Sequence, residues 1–526
     1  MLDASLSGCP CRMSLSRVHS GTLHGVDALP VEVEVNSISS GDLFRIVIVG
    51  LPDTAVRESS DRVLTALTNS GFRWSGTRLT INLAPADVRK EGPIFDLPIA
   101  VGIIALEEPF KPGALDKCSM VGELALDGRV RPVKGILSLA LQARDAGHKA
   151  ILVPEENAME AAIVEGIYVY GVPDLRSAVA LLKGEGNIKP VRLDRETFFR
   201  EKRRYDIDFS DVKGQAHAKR ALEVAVAGGH NLLMLGPPGT GKSMLAKRLA
   251  TIMPVLSEAE AIETTKIHSV AGLVDRRTGF IATRPFRAPH HTISDAGLLG
   301  GTSNPVPGEV SLAHHGILFL DELPEFRRST LEVMRQPLED GNVTISRAAG
   351  KFTFPSRFML VAAMNPCPCG YLGDTRRECR CLPVQVERYR QRISGPLLDR
   401  IDLHIEVPSI NYKELSSDAA GETSEAVRAR VEEAREVQIQ RFIGHPGVVT
   451  NSAMPSRLVR EFARLDARCE SLLEHAMTEL NFSARAHDRI LKVSRTLADL
   501  AGADQIREPH LLEAIQFRTL DRNLWG

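Results

Sequence analysis

The sequence predicts a multidomain α/β protein in three parts: an amino-terminal α/β domain, a core of buried parallel strands, and an all-helical carboxyl-terminal part. Three observations carry that expectation. A strand, a glycine-rich loop and a helix follow one another at 231–252, as NLLMLGPPGTGKSMLAKRLATI. Short β-rich runs alternate with helical stretches over about 30–182, and after Pro408 only helical spacing remains. At 526 residues the chain is too long for one core, given roughly 150 residues per domain.

The first domain is expected over 13–187. VEVEV, FRIVIVG, RLTINLAP, AILVP and IYVYGV read as strands, and AVRESSDRVLTALTNSG and ILSLALQARDAG as helices. A polar, charged stretch with little apolar period makes 188–208 a linker. LLMLG, ILFLDE, FMLVAAMN and DLHIEVP are the continuous apolar runs of buried parallel strands, in a core spanning 209–411. Residues 412–526 have helical spacing, as in SEAVRARVEEAREVQIQRF and ARAHDRILKVSRTLADLAG, and are expected to form a lid.

Lys and Arg total 65 against 66 Asp and Glu, so no whole-molecule field draws the chain to nucleic acid or an acidic membrane. Any such contact must be local. The longest apolar run, LPIAVGIIAL at 97–106, is about half of the roughly 20 residues a membrane span requires. The amino terminus lacks the apolar segment of a secretory signal, so a cytoplasmic location is expected.

Gly236-Pro237-Pro238-Gly239-Thr240-Gly241-Lys242-Ser243 fits G-x-x-x-x-G-K-S between its strand and helix. In that pattern backbone N–H groups turn inward on the phosphates of ATP, the lysine reaches the β and γ oxygens, and the serine hydroxyl ligates Mg²⁺. Hydrolysis needs carboxylates on a neighbouring strand, and ILFLDE supplies Asp321 for Mg²⁺ and Glu322 to activate water. FMLVAAMN ends in Asn365, a polar group where that water must be held. An asparagine in a turn before proline is the competing reading.

Cys367, Cys369, Cys379 and Cys381 are spaced C-x-C-x₉-C-x-C, four soft ligands that suit tetrahedral Zn²⁺. C-x-C is tighter than the usual zinc spacing, and buried free thiols packing a loop are the other reading. From 374 to 400 the chain carries seven arginines against four acids, a basic surrounding for that cluster.

The order of these motifs resembles that of AAA+ ATPases, with FSDVKGQAHAKRALEVA similar to the segment on the adenine side, Val212, Gly214 and Gln215 at its turn. PFRAPHHTISDAGLLGG, PGEVSLAHHGILFLDELPEF, GLPDTAVRES, VMRQPLEDG and SGPLLDRIDLHIEV resemble the magnesium-chelatase-like branch and specifically the ComM/YifB family, over nearly the whole chain. That resemblance implies an ATP-promoted homo-oligomer, a hexameric ring, with ATP bound between neighbours. Arg400 then matches the arginine finger and Arg485 the lid's sensor arginine. In related helicases a hairpin like GNVTISRAAGKFTFPS enters the channel, where Arg347 and Lys351 would touch DNA phosphates.

The implied activity is an ATP-driven helicase that migrates branches on single-stranded or branched DNA, aiding integration of incoming DNA in natural transformation. A protein-remodelling or chelatase-type ATPase is the alternative, and no membrane partner is expected. The first domain resembles the Lon protease catalytic domain through GELALDGRVRPVKG and ILVP. Ile94 stands where the nucleophilic serine would be and Ile136 at the lysine, so a protease is not expected, even with Lys134 two positions away. Met13-Ser-Leu-Ser-Arg resembles the family's usual beginning; residues 1–12 are expected to precede the native start or to be disordered.

Overall fold

The computed structural model describes residues 15–38, 45–74, 78–194, 199, 203–275, 278–301, 305–347, 350–374, 377–409, 421–480 and 482–520. Residues 1–12 and Met13 lie outside them, as do parts of the expected linker and of the segment that opens the lid. The chain forms two compact units, one from 1–202, 261–281 and 346–353, the other from 203–260, 282–345 and 354–526.

In the first unit, β1 (Leu15–His24) and β2 (Asp27–Ile38) make a hairpin registered from Leu15 opposite Asn36 to His24 opposite Asp27. β3 (Arg45–Val49), β4 (Arg78–Ala84) and β5 (Cys118–Met120) follow. β6 (Glu123–Leu124) and β7 (Val130–Arg131) pair only with each other, and β8 (Ala150–Pro154) and β9 (Tyr168–Val172) return to the main sheet. That sheet has seven strands in the order β3-β4-β2-β1-β5-β8-β9, with β2 antiparallel to β1 and β4 and the other pairings parallel.

Val31, Val33 and Val35 of β2 and Leu79, Ile81 and Leu83 of β4 are buried at every second position, the period of a pleated strand. On β1 and β2 packs the helix Asp96–Glu107, every residue of which from Asp96 to Leu106 is buried. The apolar run 97–106 is therefore a core helix, hydrophobic all round because protein surrounds it.

The second unit is built on five parallel strands: β10 (Leu232–Leu235), β11 (Phe286–Arg287), β12 (Ile317–Leu320), β15 (Met359–Met364) and β16 (Leu403–Glu406). Their order, β11-β12-β15-β10-β16, sets β15 between β10 and β12. Nearly every residue of β10, β12, β15 and β16 is buried, as parallel strands covered on both faces require. β13 (Asn342–Arg347) and β14 (Gly350–Pro355) form a separate two-stranded sheet. Residues 346–353 at its tip belong to the first unit, where the Phe352 ring lies 5.0 Å from that of His24.

Beyond β16 the described chain is helical: Ser424–Arg441, Ser456–Phe462, Ala467–Glu479, Ala484–Leu500 and Glu508–Gln516. Buried polar groups tie these helices to the sheet. His230, just before β10, bridges Asp402 at 3.0 Å and Thr496 at 2.9 Å. Arg489 also pairs with Asp402. Burial works against the Asp402 carboxylate, yet Arg489 and His230 hold it well below the usual carboxylate range. One helical turn on, the buried Asp499 carboxylate accepts from Arg441 at 2.5 and 2.8 Å, Arg495 at 3.0 Å and Asn451 at 2.8 Å.

Asp499→Ala leaves the Arg441 and Arg495 guanidiniums without their shared carboxylate in a buried setting. The expected loss is about 3–5 kcal/mol, read as a lower midpoint in chemical unfolding of the full chain. An unchanged midpoint would show that the network adds nothing to stability.

Candidate nucleotide site

β10 ends at Leu235 and the helix Lys242–Ile252 begins at Lys242, so the glycine-rich loop fills the gap at the carboxyl edge of the sheet. The loop starts against β16's continuation: a Cβ on Gly236 would stand 2.2 Å from the Val407 carbonyl oxygen. Only glycine lets the two backbones come that close.

Lys242 is 8% exposed, and its ammonium donates to the Gly236 carbonyl at 2.7 Å, the Pro237 carbonyl at 2.9 Å and Asn365 Oδ1 at 3.3 Å. Burial pushes this amine down to about 8, with Asp321 opposing the shift. The oxygens it has found are the kind that phosphate oxygens would replace.

Ser243 Oγ donates to Asp321 Oδ2 at 2.7 Å. A serine hydroxyl and a carboxylate in contact beside a buried lysine are a hard-oxygen pair suited to Mg²⁺, and they would hold it with the phosphates completing its shell. Asp321 Oδ1 accepts the backbone N–H of Glu322 at 3.0 Å. Glu322 has φ +53, a left-handed turn that costs a non-glycine residue about 1–3 kcal/mol. The turn carries its carboxylate to His291, whose Nδ1 lies 3.2 Å from Glu322 Oε2.

His291 sits in a segment that motif reading marks as distinctive without giving any residue in it a role. A histidine in a loop far along the chain has no periodic signal; only the fold brings it to the glutamate.

Asn365 follows β15, and the position of β15 between β10 and β12 is what aims its amide at Lys242. Burial pushes the phenol of Tyr389, on the helix that follows the cysteine loop, up to about 12, with the Asn365 backbone opposing that shift. On the other flank, Gln215 (φ +56) donates to the Pro408 carbonyl at 2.7 Å, beside the buried Val212.

The structure thus gathers Lys242, Ser243, Asp321, Glu322 and Asn365 at one edge. Arg400 and Arg485 are engaged elsewhere. Arg400 pairs with Glu339 and donates to the Pro396 carbonyl at 2.5 Å, and the largely exposed Arg485 pairs with Asp399 at 2.7 Å. Arg347, the last residue of β13, and Lys351, the second of β14, are exposed. The four cysteines of 367–381 come together as a group able to hold a metal ion, all ligand atoms within 4.8 Å of one another.

Strand order, loop and carboxylates define a P-loop ATPase of the AAA+, magnesium-chelatase-like class. Family models agree: magnesium chelatase, subunit ChlI, matches residues 208–415, subunit ChlI of Mg-chelatase matches 31–157, and the ChlI carboxyl-terminal model matches 421–518. The chain is 44% identical over 516 residues to competence protein ComM of Haemophilus influenzae, covering 97% of this chain and 99% of that one. It is 44% identical over 514 residues to YifB of Escherichia coli, covering 97% and 98%. A shorter match, 24% identical over 311 residues, joins 57% of the chain to 33% of the maternal DNA replication licensing factor mcm6 of Xenopus tropicalis. The chain belongs to the ComM/YifB family. Among the described residues no helix is long and apolar enough to cross a membrane.

The lowered Lys242 value has a pH consequence of definite sign. Bound phosphates favour the ammonium, so above about 8 the empty site must take up a proton to bind. Affinity for a non-hydrolysable ATP analogue is expected to fall as pH rises through that value, by up to about tenfold per unit. Titration calorimetry on its alkaline side, in two buffers of different ionisation heat, should register proton uptake. Binding without it would contradict the assignment.

Proposed function

We propose that the protein is a cytoplasmic ATP-driven motor that assembles into a ring of six copies and moves single-stranded or branched DNA, by branch migration that aids integration of incoming DNA. The observation that carries the ATP half is the convergence of Lys242, Ser243, Asp321, Glu322 and Asn365 on one sheet edge. Lys242 neutralises the β and γ phosphates. Ser243 and Asp321 would hold Mg²⁺, which when bound would supply electrostatic stabilisation of the phosphates. Glu322 accepts the proton of the attacking water while Asn365 orients that water.

Arg400, from a neighbouring copy, neutralises charge on the γ-phosphate, which requires its guanidinium to leave Glu339. Arg485 serves as the sensor of a helical lid formed by 412–526. The DNA half rests on kinship with a protein named for competence and, more distantly, with a DNA replication licensing factor. Arg347 and Lys351 are its phosphate contacts, binding without reading sequence.

The first domain is a Lon-protease-like module without proteolysis: Ile94 and Ile136 are both buried apolar residues and offer no nucleophile or base. Cys367, Cys369, Cys379 and Cys381 are assigned structural Zn²⁺ in the same reading. The second reading, a chelatase or protein-remodelling ATPase, is favoured by the magnesium chelatase models along the chain.

ATP turnover measured with and without single-stranded and forked DNA, at fixed salt, separates the two. Stimulation and strand displacement are expected; the absence of both defeats the motor and leaves the remodelling reading. Glu322→Gln should bind ATP and still form hexamers in sedimentation velocity, yet turn over about 10²–10⁴-fold more slowly. Normal turnover in that variant would remove Glu322 from the base role.

A further inference from the structure

The loop between β15 and the helix Pro383–Arg390 holds four thiols that nucleotide chemistry does not use. Cys367 Sγ lies 3.3 Å from Cys369 Sγ, and each lies 3.6 Å from Cys379 Sγ. A disulfide would need about 2.05 Å between sulfurs. Four thiolates bound about 2.3 Å from one Zn²⁺ sit on tetrahedral corners about 3.8 Å apart. The sulfurs are spaced like the second arrangement. The Cys381 backbone N–H donates to Cys379 Sγ at 3.4 Å. An all-sulfur set selects zinc over Mg²⁺ or Ca²⁺.

The surroundings of the loop give such an ion work to do. Gly370 follows Cys369 with φ +85, and a Cβ there would stand 2.7 Å from Pro238 Cδ of the phosphate loop and 3.8 Å from Asn365 Cγ. Cys379 and Cys381 precede the helix whose Arg390 donates to the Pro366 carbonyl at 3.5 Å. Without a metal, the two cysteine pairs are joined through a long basic loop, whose two sides Arg377 also links by donating to the Tyr371 hydroxyl at 2.8 Å. With one, the outgoing strand and the returning helix are locked together around Asn365 and Pro238.

We propose that Cys367, Cys369, Cys379 and Cys381 bind one Zn²⁺ as four thiolates, and that this ion is a clamp holding the phosphate loop and Asn365 in their binding geometry. The clamp rests on the ATPase reading, whereas the metal site stands without it.

The full chain, purified under reducing conditions without chelator, should contain one zinc per chain by elemental analysis. Cobalt in its place should show the visible bands of tetrahedral thiolate coordination. Cys379→Ser combined with Cys381→Ser should lose the ion. If that variant does not fold, an organomercurial titration of the wild-type chain releases the metal instead. A fluorescent ATP analogue should then bind more weakly at unchanged far-ultraviolet circular dichroism, and recover when thiol and Zn²⁺ are restored.

A reduced chain that carries no zinc and takes up neither Zn²⁺ nor Co²⁺ overturns the site, as does a folded double variant that keeps its metal. A stoichiometric ion whose release leaves nucleotide affinity unchanged overturns the clamp. A zinc-loaded chain that binds no nucleotide faults the ATPase reading and, with it, the clamp, while the site stands.

Discussion

A buried ammonium has to be surrounded by oxygen, and the carboxyl edge of the second unit's sheet is arranged around that demand. Lys242, at the start of its helix, is largely shielded from water. Two loop carbonyls and the amide of Asn365 take its protons. Two acceptors belong to the glycine-rich loop that follows β10 and the third follows β15, so a single charge couples that loop to β15. The same burial that makes the lysine costly when empty makes phosphate a strong partner, since an anion returns the Coulomb energy that desolvation removed.

The helices after β16 meet the sheet through charge as well as through apolar packing. His230 and Asp402 stand at the starts of β10 and β16, and Thr496 and Arg489 lie on one helix. Groups buried in this way tolerate little displacement, because a half-satisfied ionic network is worse than an apolar one. Shape complementarity sets the area of the contact, and the ionic groups set its register. The nucleotide edge and the helical segment are thus two ends of the same strands, each fixed by buried charge.

Much of this is legible in residue order and some of it is not. Continuous apolar runs mark β10, β12, β15 and β16, because parallel strands are covered on both faces. Alternating valines mark β2. β1 carries no such mark although it lies mid-sheet: its buried positions are Ser16, Val18, Ser20, Gly21 and Thr22, of which only Val18 is a large apolar residue, so no apolar period shows. Ser16 satisfies its hydroxyl on the Gly102 carbonyl at 2.6 Å. β11 is two residues long, too short for any period. In the site, Lys242, Ser243, Asp321 and Glu322 are readable because phosphate chemistry demands them at fixed distances from a strand end. The approach of His291 to Glu322, and of Gly370 to Pro238, belongs to tertiary structure alone.

The first unit draws on three separate stretches of chain, and the second on three more that alternate with them. Ile267, Val270 and Phe280, encoded in the middle of the ATPase, are buried in the first unit's segment 261–281. A single cut in the linker therefore does not divide the protein into two foldable halves. A gene fragment beginning near residue 203 would carry apolar residues whose partners it had discarded. Such a protein is inherited as one piece: recombination cannot trade its front for another without rewriting the back.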